Sequence, residues 1–320
     1  MHGRHKRFLI PLVKLFLTGL LIGVIAYRVD LTASFRILSR ANLAPVTGAL
    51  MFYLLAAVAR AWRFCIICRT EGPTEFRRML GPYCLSVGYG TFFSPGEDAY
   101  KLFAVNKDWD HASRLACVLL DRLTGAMGLM LSALLGIVIA FLSGHWEMRQ
   151  MLPTVVIGGC VGFVIVMVSG VVLKYSARLK FASWLNTLVE KIYWAARRSK
   201  DFFIKKPKAC LKVLAVSVGI QLLIVTPIFF LAWLAVGGTA SFAPFFLAFV
   251  PIVAACNALP ISFLGIGVRD VSFLYLMRTV GGDDERAIAT TMLVLLVRVV
   301  SSIILLVLGH MAEKSCPNRG

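Results

Sequence analysis

The chain has 320 residues, of which 59% are apolar and only 16% charged, with a mean hydropathy of +0.81. A soluble globular protein is nearer half apolar and a quarter charged, so a soluble two-domain enzyme is excluded. The 34 Lys and Arg against 16 Asp and Glu, a net of +18, then read as loops facing anionic lipid rather than as a nucleic-acid surface.

Arg4, Lys6 and Arg7 precede an apolar run over 8–27. The run is longer than the core of a secretion signal, and no small-x-small cleavage site follows it. It is expected to be an uncleaved first span with a cytoplasmic N-terminus. Further spans are predicted over 43–66, 122–143, 152–173, 213–236 and 287–309, each close to the roughly 20 residues a helix needs to cross a bilayer core. Two stretches, 81–105 and 244–279, are apolar but interrupted by Gly, Pro and polar residues. Cys65 and Cys68 form a C-x-x-C with no second pair and no nearby His, which reads as apolar packing rather than a metal or redox site.

Between Lys174 and Lys212 there are 11 Lys or Arg and 2 Asp or Glu, a net of +9 and half of the whole charge. That bias places 174–212 in the cytoplasm. Phe181, Trp184, Leu185, Leu188, Val189 and Ile192 recur there at helical spacing among Arg178, Lys180, Lys191, Arg197 and Arg198. A basic amphipathic helix of this kind rests on anionic inner-leaflet lipids.

With the N-terminus and 174–212 on one side, each broken stretch leaves and returns on the same side. The fold class expected is an all-α polytopic membrane protein. It has about six full spans plus two broken or re-entrant helical hairpins in a single transmembrane domain over 1–320. The halves 8–143 and 152–309 read span, span, broken hairpin, span in opposite senses, as in inverted-repeat transporters. Eight full crossings are the alternative that hydropathy leaves open.

Charged residues inside spans are costly and face partners or cavities. Arg298 sits deep in 287–309, and guanidinium forks suit phosphate geometry. Arg60 and Arg63 are three apart on one helix face near the end of the second span. Asp121 and Arg122 are adjacent, point apart on a helix, and each needs its own partner. The first broken stretch reads GYGTFFSPGEDAYK (88–101), and a new helix is expected near Glu97 and Asp98 with Lys101 a turn later. The second reads NALPISFLGIGVRD (257–270). There Ser262, Gly265 and Gly267 would leave N–H groups free for an anion ahead of Arg269 and Asp270.

GYGTFFSPGEDAYKLF, ACVLLDRLTGAMGLM (116–130) and LPISFLGIGVRDVSFL (259–274) resemble the lysylphosphatidylglycerol synthase transmembrane-region family, a flippase-like group. The resemblance runs over nearly the whole chain, from Ala59-Arg60-Ala61-Trp62-Arg63 to the last span. Two departures stand out: the first turn is contracted to Ser-Pro-Gly-Glu-Asp, and the acid closing the second motif, often Glu in relatives, is Asp270. The resemblance implies lipid handling, with movement of an aminoacylated or otherwise modified phospholipid as the activity best associated with the fold. Full-length synthases add a soluble aminoacyl-transferase domain, and that chemistry is not expected within these residues.

The leading expectation is a lipid-transport protein that binds or moves a phosphate-bearing headgroup of a membrane phospholipid or prenyl- or glycolipid. Arg298, Arg269, Arg122, Arg60 and Arg63 would face the phosphate, with Asp121, Asp270, Glu97 and Asp98 pairing with them or holding a cationic part. The second expectation is a membrane-embedded transferase, resting on Asp108-Trp109-Asp110, where a D-x-D could hold a divalent metal. The solvated-loop reading of that motif, and of Asp283-Asp284-Glu285, is preferred. The third is a non-catalytic scaffold for a lipid-synthesis enzyme. No Ser-His-Asp set, phosphate loop or H-E-x-x-H pattern is present, so no metal or cofactor is expected. A second copy of the chain or a lipid-synthesis enzyme is admitted as a partner, in the cell (plasma or inner) membrane. The topology has a direct check: in a chain whose native cysteines are replaced, Ser199→Cys should label only with reagent admitted to the cytoplasmic side.

Overall fold

Among the residues that the computed structural model describes, 18–92, 96–104, 109–142, 144, 197, 201–258 and 266–314, every regular element is helical. The opening of the first predicted span, the whole of 152–173 and most of 174–212 lie outside them. The helices are α1 (Thr18–Arg28), α2 (Leu31–Ser39), α3 (Leu43–Cys68), α4 (Phe76–Phe92), α5 (Gly96–Ala104) and α6 (His111–Leu142). They continue with α7 (Pro207–Gly219), α8 (Thr226–Ala235), α9 (Ala243–Ala258), α10 (Val268–Thr279) and α11 (Asp284–Lys314).

Among these, five stretches are long and apolar enough to cross a membrane: Leu43–Cys68, Ser113–Leu142, Pro207–Ala235, Ala240–Asn257 and Asp284–Glu313. The protein is therefore an all-α polytopic membrane protein. Both broken stretches are helix pairs, α4 with α5 and α9 with α10. Their first limbs differ, since Ala240–Asn257 has the length of a full span and α4, at 17 residues, falls just short.

The third span differs from its hydropathy boundary. Helix α6 has 32 residues and begins at His111 rather than near 122. Asp121 and Arg122 look like a span end in an apolarity profile. In the structure their charges are met by partners, so the helix runs through them.

Local signals explain several helix ends. Asp30 caps α2 by accepting from Thr32 N–H at 2.8 Å and Ala33 N–H at 3.1 Å. The Ala33 N–H above all holds this carboxyl below its usual range. Asn42 caps α3 by accepting from Ala44 N–H at 3.0 Å. Asp283 does the same for α11 through Arg286 N–H at 3.1 Å. Between α7 and α8 the chain passes through a π turn, Ile220–Val225. Pro227 brings no N–H to the ladder there, and the Thr226 hydroxyl donates instead to the Gln221 carbonyl at 2.9 Å.

The helices form two compact units, and α3, α6 and α11 contribute part of their length to each. The first unit comprises Met1–Leu54, Ser132–Arg149 and Gln221–Ser301. Its core is aromatic: Phe273 of α10 lies 5.7 Å from both Phe229 of α8 and Phe246 of α9, and Trp233 stands edge-on to Phe242 at 5.3 Å. Trp233 is buried and donates its indole N–H to the Thr239 carbonyl at 3.1 Å. The second unit comprises Leu55–Leu131, Gln150–Ile220 and Ser302–Gly320. Here α4 meets α11 through the buried hydroxyls of Thr91 and Ser302, 2.9 Å apart.

Close backbone approach fixes the meeting of α6 and α9 in the first unit. A Cβ at Gly136 would lie 2.3 Å from the Leu247 carbonyl oxygen and 2.5 Å from the Ala248 nitrogen. Because the obstacle is backbone, no rotamer change relieves it. Gly136→Ala is expected to destabilise the protein by about 2 kcal/mol. Gly219→Ala, where nothing lies within 4 Å, should stay within about 0.5 kcal/mol of the parent. Denaturant midpoints in detergent compare the two.

Candidate functional site

Six charged side chains of the second unit join into one network, supplied by α3, α5 and α6. Asp121, on α6, is its centre. Its Oδ1 accepts from Arg63 Nη2 at 2.6 Å and Nε at 3.1 Å, while Oδ2 accepts from Lys101 Nζ at 2.9 Å. Arg63 also donates to the Asp121 carbonyl and, through Nη1, to Ser217 Oγ of α7, both at 3.3 Å. Lys101 donates as well to Glu97 Oε1 at 2.7 Å, one turn earlier on α5. Glu97 Oε2 lies 3.2 Å from Arg122 Nη2, and Arg122 reaches Asp98 through Nη2 and Nε, each at 2.9 Å.

Local sequence puts α5 where this network needs it. A Cβ at Gly90 would sit 2.5 Å from the Cβ of Glu97, so glycine on α4 is what lets the start of α5 fold back against it. Glu97 and Asp98 occupy the first turn of α5, where the free N–H groups favour acids. Lys101 then lies under the aromatic faces of Tyr83 and Phe64, 5.0 and 5.9 Å from the ring centres.

Burial falls steadily along the network. The side chains of Asp121 and Lys101 are each 2% exposed, whereas Asp98 is 43% and Arg122 51% exposed. The inner end is saturated, with both Asp121 oxygens engaged. The outer end is open: among the described residues Arg122 Nη1 has no acceptor. Arg60 lies one turn from Arg63 on α3, half-buried, and adds its field to Glu97. It forms no ion pair or hydrogen bond with any described residue.

The remaining sequence candidates belong to the first unit. Arg269 and Asp270 are buried at the start of α10 and bind each other, with Nη2 and Nε at 2.8 and 3.0 Å from Asp270 Oδ1. Asp270 Oδ2 accepts the Gly267 N–H at 2.9 Å, at a glycine with φ of +90°. That N–H was expected to be open to an anion and is instead spent on the helix cap, while Ser262 and Gly265 lie outside the described residues. Arg298 is half-buried on α11.

The structure thus brings Arg60, Arg63, Glu97, Asp98, Asp121 and Arg122 together and gives Arg269 and Asp270 a separate pairing. Lys101 was missed as a site residue, although its i+4 spacing from Glu97 in an apolar stretch was the signal. Of the D-x-D, Asp108 lies outside the described residues, and Asp110 accepts from the Ser113 hydroxyl at the start of α6. Among the described residues no three His, Cys, Asp or Glu side chains group as a metal site.

The network sets unequal costs for its members. Asp121→Asn would leave Arg63 and Lys101 buried without their shared counter-charge, an expected loss of about 3–5 kcal/mol. Arg122→Gln, at the exposed end, should cost less than about 1 kcal/mol. Denaturant unfolding of the purified variants measures both.

Comparison with curated proteins and comparison with solved structures each return no match. The family model described as the lysylphosphatidylglycerol synthase TM region matches residues 12–309, which takes in α1, both broken stretches, the whole charge network and all but the end of α11. By that match the chain belongs to the lysylphosphatidylglycerol synthase TM region family.

Proposed function

We propose that this membrane protein is a flippase-like lipid-transport protein that binds or moves a phosphate-bearing lipid headgroup. The observation that carries the reading is the network's open end, where among the described residues Arg122 Nη1 has no acceptor beside a saturated interior. Guanidinium forks match phosphate oxygens in geometry and in charge. The family's name, which contains a phospholipid, supports the same class of ligand.

In this reading a headgroup phosphate takes the free edge of Arg122 and competes with Asp98 for the rest. The displaced carboxylates of Asp98 and Glu97 are then free to hold a cationic part of the same headgroup. Arg298 and the Arg269–Asp270 pair form the charged set of the first unit. An apolar cavity of about 360 Å³ in that unit, lined by Ile139, Leu222, Pro227, Phe230 and Leu247, has the chemistry to take an acyl or prenyl chain. We place the protein in the cell membrane with its N-terminus and 174–212 in the cytoplasm, where the basic segment holds anionic lipid.

Reconstitution into vesicles with a headgroup-labelled phospholipid and a leaflet-specific quencher tests the proposal. Arg122→Gln and Arg298→Ala are each expected to slow headgroup movement by roughly tenfold or more, the loss of one charge-assisted contact. Circular dichroism and unfolding midpoint should be retained. Parental rates in both variants would overturn the assignment.

A further inference from the structure

The C-x-x-C at the end of α3 does not pair within itself, because Cys68 meets a cysteine on another span. Two contacts fix how α3 and α6 lie in the second unit. Arg63 of α3 holds Asp121 of α6 at 2.6 Å. Just past the end of α3, Gly72 lies against the ring of Trp109, which a Cβ there would approach to 2.9 Å. Going forward along α3 is therefore going backward along α6, and the two helices run antiparallel in a fixed register.

That register sets Cys68 opposite Cys117, five residues on from Arg63 and four back from Asp121. These steps are about 7.5 Å of rise on one helix and about 6 Å on the other. The two thiols hydrogen-bond each other there. Both cysteines are 0% exposed, and both are free thiols. Cys65, one turn before Cys68, is turned to the loop and donates to the Thr74 carbonyl at 3.7 Å.

Two thiols in contact across two helices need only draw their sulfurs to about 2.05 Å to form a disulfide. The same end of the unit carries the Lys206 ammonium on the Thr70 carbonyl, so the placement proposed above puts it at the cytoplasmic side. In that compartment the resting form is the dithiol. A disulfide there is a response to oxidant rather than a permanent staple.

We propose that Cys68 and Cys117 are a redox-sensitive pair that a membrane-soluble organic hydroperoxide converts to a disulfide, locking α3 to α6. One sulfur attacks the terminal oxygen of the hydroperoxide, the O–O bond breaks, and an alcohol leaves behind a sulfenic acid. The second sulfur attacks that sulfur and water leaves. The two thiols together lose two electrons and two protons, and the hydroperoxide is reduced to alcohol and water. Burial keeps polar reagents from both sulfurs, and an apolar oxidant dissolved in the bilayer is the kind that reaches them. The link closes one turn from Asp121, at the inner end of the charge network.

The test treats the purified full chain in detergent with cumene hydroperoxide, alkylates the remaining thiols and maps peptides by mass spectrometry without reduction. A peptide pair joined through Cys68 and Cys117 is expected as the main product, and dithiothreitol should remove it. The oxidised chain should unfold roughly 5 °C or more above the reduced one, since the link constrains the unfolded chain. Cys117→Ala and Cys68→Ala should each abolish both signals, while Cys65→Ala keeps them. The linked peptide of the parent is a readout that depends on no variant.

A main link from Cys65 to either Cys68 or Cys117 would overturn the assignment. So would thiols that all stay open to alkylation, or oxidation of the buried Cys84 on α4 with no link formed. None of these outcomes touches lipid binding, so the pair and the proposed function fail separately.

Discussion

Asp121 is the residue on which the second unit turns. One carboxylate on an otherwise apolar helix holds two cations from two other helices, Arg63 of α3 and Lys101 of α5. Burying any one of these three ions alone would be prohibitive. Burying them together, with each oxygen of Asp121 taken, makes α6 able to continue through residues 121 and 122. It also fixes where the short helix α5 can lie and draws in α7 through Ser217. Packing alone would leave nine residues of α5 weakly placed, because a helix that short is not stable by itself.

The same arrangement grades the site from structure to exchange. At the inner end the ions are saturated and out of contact with solvent. At the outer end Glu97 and Asp98 share Arg122, whose guanidinium is half exposed and incompletely engaged. A pair of that kind contributes little to stability, which is what a group must offer if it is to trade partners with a ligand. In this member of the lysylphosphatidylglycerol synthase TM region family the described residues of the second unit carry a buried charge network centred on Asp121.

Much of the fold was legible because hydropathy reports long apolar helices directly. The span over 43–66 appears as Leu43–Cys68, and Gly and Pro marked both broken stretches. Helical geometry also indicated that Asp121 and Arg122 need different partners. The partners themselves were not legible, since Arg63 stands 58 positions from Asp121 and nothing local links them. Lys101 carries no signature of burial, because a hydropathy profile scores lysine the same way whatever it meets. The start of α6 was misplaced for the same reason. At 265–270 free N–H groups were expected to await an anion, yet the long Arg269 folds back on its neighbour and Asp270 turns to cap its own helix.

Photocrosslinking shows whether the open end of this network meets a lipid phosphate. A phosphodiester lipid carrying a diazirine beside its phosphate would be activated on the purified chain and the adducts mapped by mass spectrometry. Adducts are expected on α3 near Arg60 and on α5 and α6 near Asp98 and Arg122, suppressed by excess unlabelled lipid. Adducts spread over the apolar helix faces and unaffected by competitor would contradict that contact.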